Sequence, residues 1–170
     1  AGMWCMQTGY GRREIADAVA EQIMNLSYAT SFSVINNREV QLAQRIAEQT
    51  PGDLNRIFFT TGGSTAVDSA LRLCQLASNI QSKPHRKHIL TREKAYHGST
   101  FLSASVTGKE RDKSAMDTIK EGIHFLSAPC HFYHPEFATE EAFCDFLIEE
   151  LEQKILDVGA DNIMCFIAEP

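Results

Sequence analysis

The chain has 170 residues, 44% of them hydrophobic and 22% charged, enough for one sizeable core. A formal net charge of −6 speaks against nucleic acid or an anionic membrane as partner, and no apolar run approaches membrane-spanning length. Five cysteines (Cys5, Cys74, Cys130, Cys144 and Cys165), odd in number and without a C-x-x-C pair, fit reduced thiols and a cytoplasmic setting.

The opening Ala1-Gly2-Met3-Trp4-Cys5 lacks the basic-then-apolar pattern of a signal peptide. Residues 12–26 predict a helix with Ile15, Val19, Ile23 and Leu26 on one stripe. Residues 28–37 predict a polar, aromatic loop. Residues 38–49 predict a second helix, with Leu42, Ala43, Ile46 and Ala47 inward, stopped by Pro51-Gly52. Ile57-Phe58-Phe59 is a short β-favouring run. Gly62-Gly63 is a turn suited to φ > 0. A helix starts at Ser64 and Thr65, with Val67, Ala70, Leu71, Cys74 and Ala77 as its buried stripe.

Ser82-Lys83-Pro84 breaks the chain. The basic run Lys83, His85, Arg86, Lys87 and His88 reads equally as a patch or as a surface linker. Residues 87–91 predict a strand, Tyr96-His97-Gly98-Ser99-Thr100 a turn, and the segment up to Gly108 is weakly patterned. Residues 123–126 predict another strand and 129–135 a loop rich in His and aromatics. Thr139 caps a long helix whose first turn holds Glu140 and Glu141, whose stripe is Phe143, Leu147, Leu151 and Ile155, and which Gly159 ends. Residues 163–170 predict a buried strand. Both ends read as cut, since a parallel strand normally feeds another crossover helix. From residue 57 onward strands alternate with helices, which predicts an α/β fold of three layers: a mostly parallel sheet covered by helices.

Ligands of such sheets bind beyond the carboxyl ends of the strands, where three features fall. A glycine turn feeding a helix at Gly62, Gly63 and Ser64 is an anion cradle, because free N–H groups and the helix dipole converge there. It lacks the Lys of a nucleoside-triphosphate loop and is not G-x-G-x-x-G; an ordinary strand–turn–helix is the other reading. Tyr96, with His97 beside it, offers a ring to stack on a planar group whose phosphate lies on Gly63 and Ser64, a combination found in pyridoxal phosphate; a locally packed turn is the other reading. Glu169 closes the last strand as a site carboxylate or as a solvated charge. Trp4 and Phe32 lie off any stripe and suit either pocket walls or packing. His124, Cys130, His131 and His134 supply no complete zinc spacing, so no metal is expected.

Together these pieces resemble a class III, fold-type I aminotransferase dependent on pyridoxal 5'-phosphate, and in particular the omega-amino acid and amine:pyruvate transaminases. The resemblance runs through Gly2-Met3-Trp4-Cys5, Gly9-Tyr10-Gly11-Arg12, Phe58-Phe59-Thr60-Thr61-Gly62-Gly63-Ser64, Tyr96-His97-Gly98-Ser99-Thr100, the stretch from Glu152 to Asp161, and Ala168-Glu169-Pro170. It implies that residues 1–50 form an N-terminal helical segment leading into the large domain, and 51–170 the first part of that cofactor-binding domain. It also implies Gly62, Gly63 and Ser64 on the cofactor phosphate, and Tyr96 stacked on the pyridine ring beside His97. Trp4, Phe32 and Tyr96 would lie in the substrate pocket. Glu169 would lie near the cofactor and, in some members, pair with a substrate-carboxylate Arg.

The implied reaction moves an amino group from an amine or omega-amino acid to a keto acid such as pyruvate, in a homodimer with its sites at the interface. An aminomutase, decarboxylase or racemase of the same fold, or a non-catalytic phosphate-binding relative, is the alternative. The Schiff-base Lys and the Asp that faces the pyridine nitrogen are expected beyond Pro170, so no catalytic residue falls within the chain. Two departures stand out. Gly62-Gly63-Ser64-Thr65 replaces the usual Ser-Gly-Ser-Glu, and Ala29 stands where some members carry a pocket Tyr.

Overall fold

The computed structural model describes residues 2–3, 5–30 and 32–169. The chain divides into two compact units, Ala1–Phe58 and Phe59–Pro170, where the sequence reading put the division between residues 50 and 51.

The first unit carries two helices, α1 (Arg13–Asn25) and α2 (Asn37–Ala47). Asn36 caps α2, its side chain accepting the N–H of Arg38 at 2.8 Å. Both helices form where their spacing predicts, yet among the described residues of this unit none is buried. The stripe of α1 (Ile15, Val19, Ile23) lies half open to solvent, as does Leu42 of α2. Amphipathic spacing selects a helix, but two helices alone cannot enclose a core.

In the second unit, α3 (Gly63–Ile80) is followed by β1 (His88–Arg92), α4 (Phe101–Val106), β2 (Ile123–Leu126), α5 (Glu140–Val158) and β3 (Ile163–Phe166). The strands form one parallel sheet in the order β2-β1-β3. Side chains alternate along a strand, so Ile89 and Thr91 point to one face and Leu90 to the other. All three are buried, which means that both faces of β1 are covered, as the expected three-layer α/β arrangement requires. Ile89 meets Leu71 of α3 and Val106 of α4 in the core, with Val67, Leu102, Met164 and Cys165 packed around them. The α5 helix packs against β2, and Glu150 fastens the pair by accepting both the N–H and the hydroxyl of Ser127, at 2.9 and 3.0 Å.

Four expectations need correction. The run Ile57-Phe58-Phe59 is not a strand. A strand exists through a hydrogen-bonded neighbour, and none of the three strands pairs with it; Phe58 is exposed. On α3, Ala70 and Ala77 point outward, and Ser78 takes the buried position, its hydroxyl donating back to the Cys74 carbonyl at 3.0 Å. The last strand is half-buried, and among the described residues it pairs with β1 on one side only. The loop at 129–135 contains a 3₁₀ turn, His131–Tyr133.

The basic run is used in packing. Lys83 and Arg86 both reach Asp161, each at 3.1 Å, and Lys87 donates to Asn79 at 2.7 Å. All five cysteines are free. Burial, and then neighbouring Cys74, pushes the Cys165 thiol up to about 12, which leaves it unreactive. No helix among the described residues is long and apolar enough to cross a membrane.

At the amino-terminal edge of the sheet, His88 Nδ1 and His124 Nε2 lie 2.8 Å apart with stacked rings. Burial, then His88 and Lys154, hold the His124 imidazole below its ordinary value. The unfolded chain then binds more protons in mild acid than the folded one. The stability this group supplies is complete above about pH 6.5 and is lost as the pH falls from there through the folded value. Thermal unfolding followed from about pH 8 down to about pH 5 is expected to show a shallower acid decline in His124→Gln than in the wild type.

Candidate functional site

A cleft of about 460 Å³ lies where three elements converge. It is lined by Gly63, Ser64 and Val67 of α3, by Tyr96, His97 and Gly98 of the turn after β1, and by Ala168 and Glu169 just past β3. Parallel strands end on the same edge of a sheet, so the segments leaving β1 and β3 meet there. The cradle and Tyr96 therefore share one cleft rather than facing opposite rims.

The cradle differs from its expected form. Gly62 is extended (φ 174) and Gly63 is the first helical residue; neither uses the left-handed region. The glycines instead leave room: a Cβ built on either would meet nothing within 4 Å. The Gly62 carbonyl accepts from the hydroxyls of Thr60 and Thr65, at 3.0 and 2.8 Å, and from the Ala66 N–H at 3.0 Å. The N–H groups of Gly63, Ser64 and Thr65 find no acceptor among the described residues, and α3 has no side-chain cap. Three free donors at the positive end of an 18-residue helix, beside open space, are able to accept an anion. Ser64 Oγ accepts the Ser99 N–H at 3.0 Å, which leaves its own hydrogen free to donate into the cleft.

Gly98 is where left-handed geometry is required. Its φ is +134, and a Cβ there would lie 2.5 Å from Ser103 Oγ, 2.6 Å from Ser64 Oγ and 2.8 Å from Ser64 Cα. The turn thus rests directly on the first turn of α3. The hydroxyl of Thr100 reaches the Ser64 carbonyl at 3.4 Å, and Asp68 accepts the Ser103 N–H at 2.8 Å.

Tyr96 is 45% exposed, so its ring is available to a ligand, and Lys109 Nζ stands 5.9 Å from the ring centroid. Its main-chain N–H donates to Glu169 Oε2 at 2.6 Å. His97 is buried. The Thr91 hydroxyl gives its hydrogen to the Val106 carbonyl at 2.8 Å, so the contact of 3.3 Å between Thr91 Oγ1 and His97 Nε2 has the imidazole as donor. Burial lowers the His97 pKa, against the opposing pull of Glu169, which keeps a neutral ring at the floor of the cleft.

Sequence reasoning missed Asp68, Ser99, Ser103 and Thr107 as the scaffold of this turn. Their only signal was a run of hydroxyl residues between Ser99 and Thr107. Trp4 lies outside the described residues. Phe32 belongs to the first unit, where its side chain is fully exposed. The histidines weighed as ligands have other partners: His124 meets His88, His131 meets the Phe137 carbonyl at 2.9 Å, and His134 meets Glu136 at 3.0 Å. Among the described residues no group of three or more His, Cys, Asp or Glu is placed to hold a metal.

The family description "Aminotransferase class-III" matches residues 1–170. The chain belongs to the class-III aminotransferase family. Among curated relatives of this chain, a putrescine–pyruvate aminotransferase of Pseudomonas aeruginosa is 34% identical over 171 residues, covering 100% of the chain and 38% of the relative. A diaminobutyrate–2-oxoglutarate transaminase of Halomonas elongata is 31% identical, covering 100% and 37%. Among solved structures, a PMP-bound aminotransferase from Vibrio fluvialis superposes with a TM-score of 0.92 at 35% identity, over 99% of the chain and 38% of that structure. A thermostable (S)-enantioselective omega-transaminase from Thermomicrobium roseum gives 0.90 at 34% identity, over 95% and 36%. The chain thus spans less than two-fifths of the length of these relatives, and its fold is the α/β fold of these transaminases.

Proposed function

We propose that the full-length protein is a pyridoxal-phosphate-dependent transaminase that moves an amino group from an amine or omega-amino acid to a keto acid such as pyruvate. One observation carries this reading: Gly63 and Ser64, whose helix-terminal N–H groups have no acceptor among the described residues, line the same cleft as an accessible tyrosine ring. An ester phosphate fits the first and a flat heterocycle the second. The relatives whose names specify putrescine and pyruvate, or a bound PMP, agree with it.

Bound there, the cofactor supplies an electron sink for breaking a bond at the amine-bearing carbon. The chain's share is binding and orientation. Gly63, Ser64 and Thr65 hold the phosphate through main-chain N–H groups, and the Ser64 hydroxyl donates to it. Tyr96 stacks on the ring. Neutral His97 supports the turn from below without adding charge. On this reading residues 59–170 are the first part of the cofactor-binding domain, the enzyme is a homodimer, and it works in the cytoplasm, a setting that the free thiols support.

The test is uptake of pyridoxal phosphate by the full-length protein, followed by alanine formation from pyruvate with a panel of diamines and omega-amino acids. Uptake with no alanine from any donor overturns the pyruvate assignment; no uptake overturns the cofactor assignment. Stacking contributes about 1 kcal/mol. Tyr96→Ala is therefore expected to weaken cofactor affinity several-fold in equilibrium titration, and Tyr96→Phe to restore it.

A further inference from the structure

The turn that carries Tyr96 is fastened from several directions. Its Glu93 N–H donates to the Leu126 carbonyl at 2.8 Å, and Lys94 to the Gly108 carbonyl at 3.0 Å. The N–H of His97 goes to Thr107 Oγ1 at 2.9 Å, that of Ser99 to Ser64 Oγ at 3.0 Å, and that of Thr100 to Ser103 Oγ at 3.1 Å. These ties lead to β2, to α3, and to α4 with the segment after it. None of them takes the Tyr96 N–H, although the carbonyl of the same peptide, that of Ala95, accepts the Gly108 N–H at 2.8 Å. Among the described residues the Tyr96 N–H has a single acceptor, Glu169 Oε2 at 2.6 Å, and this is also the only hydrogen bond between the turn and the segment leaving β3.

We infer that Glu169 is a positioning residue for Tyr96: its carboxylate, delivered by the end of β3, holds the N–H side of a peptide whose carbonyl side is tied to Gly108, and so sets the attitude of the ring over the amino end of α3. The inference rests on the reading of the cleft as a cofactor site. It assigns Glu169 a task on the protein's own main chain instead of on the ligand. A charge-assisted hydrogen bond to a main-chain N–H is short and directional. The torsions linking the Tyr96 nitrogen to its ring are few, so fixing the peptide restricts where the ring can stand. What Glu169 supplies is an acceptor oxygen, which an amide can also supply.

The test compares Glu169→Ala and Glu169→Gln with the wild type in the full-length protein, by two readouts. The first is amide hydrogen exchange at Tyr96 in cofactor-free protein, which reports the tie whether or not the cofactor assignment is right. The expected result is slow exchange in the wild type and in Glu169→Gln, and exchange about tenfold or more faster in Glu169→Ala. The second is the dissociation constant for pyridoxal phosphate, expected to rise about tenfold in Glu169→Ala and to recover in Glu169→Gln. Equal exchange at Tyr96 in the wild type and Glu169→Ala overturns the inference. So does a Glu169→Gln variant as impaired as Glu169→Ala, which would mean that the carboxylate charge acts on the ligand. A wild type that shows the exchange pattern but takes up no pyridoxal phosphate overturns the cofactor reading and leaves the main-chain tie standing.

Discussion

Replacing Gly98 with alanine is expected to disable the cleft. The added methyl would enter space already filled by Ser103 Oγ, Ser64 Oγ and Ser64 Cα, at 2.5, 2.6 and 2.8 Å. The last of these is backbone, so relief requires the first turn of α3 and the Tyr96 turn to separate. A left-handed φ of +134 adds strain that a side chain resists. Overpacking contributes about 1–3 kcal/mol, and strain about as much again. The thermal midpoint of full-length protein should fall by several degrees, and cofactor uptake should fall further still, because the two walls of the cleft move apart. Gly52→Ala is the control. Gly52 also has positive φ (+62), but with nothing within 4 Å of its Cβ position, and should cost only about 1–2 kcal/mol.

Gly63→Asp is expected to separate folding from binding. A carboxylate in the first turn of α3 complements the helix dipole, so the fold should be unchanged or firmer by about 0.3–1 kcal/mol. The same carboxylate occupies the free N–H groups and repels a phosphate dianion. Loss of two or three charge-assisted hydrogen bonds, each about 1.5–3 kcal/mol, amounts to at least about a hundredfold weaker binding of pyridoxal phosphate. Phosphate-free pyridoxal should bind the variant and the wild type alike. Titration with both compounds, alongside thermal unfolding, checks the prediction. Equal loss of both ligands would show that the anion does not sit on α3.

Much of this architecture was legible before any coordinates. Helical spacing located α1, α2, α3 and α5, and Thr139 with Gly159 bracketed α5, because capping and periodicity are local signals. The meeting of the Gly63 cradle with Tyr96 followed from the rule on strand ends. What escaped has physical causes. The α4 segment is only weakly patterned because hydroxyls occupy its inward positions: Ser103, Ser105 and Thr107 are almost fully buried, each bonded to the main chain. Hydrogen bonding stands in for hydrophobic burial there, and an apolar-periodicity reading cannot register it. The strand expected at Ile57-Phe58-Phe59 depended on a neighbour, which composition does not reveal. The Gly62-Gly63 pair leaves open space at the start of α3 rather than adopting the unusual torsions expected of it, while the glycine of the cleft with those torsions is Gly98.

The strand order has a consequence for how the polypeptide is made. The middle strand, β1, is synthesised first, then β2, and β3 only after the whole of α5. Until β3 emerges from the ribosome, one flank of the nascent sheet offers unpaired main-chain groups, a template for mispairing with other chains. Completing β3 covers the open side of β1 and, three residues later, brings Glu169 to Tyr96. Covering of the middle strand and delivery of Glu169 to the cleft are thus one event in biosynthesis, and a chain stalled before it should need a chaperone more than one stalled after it.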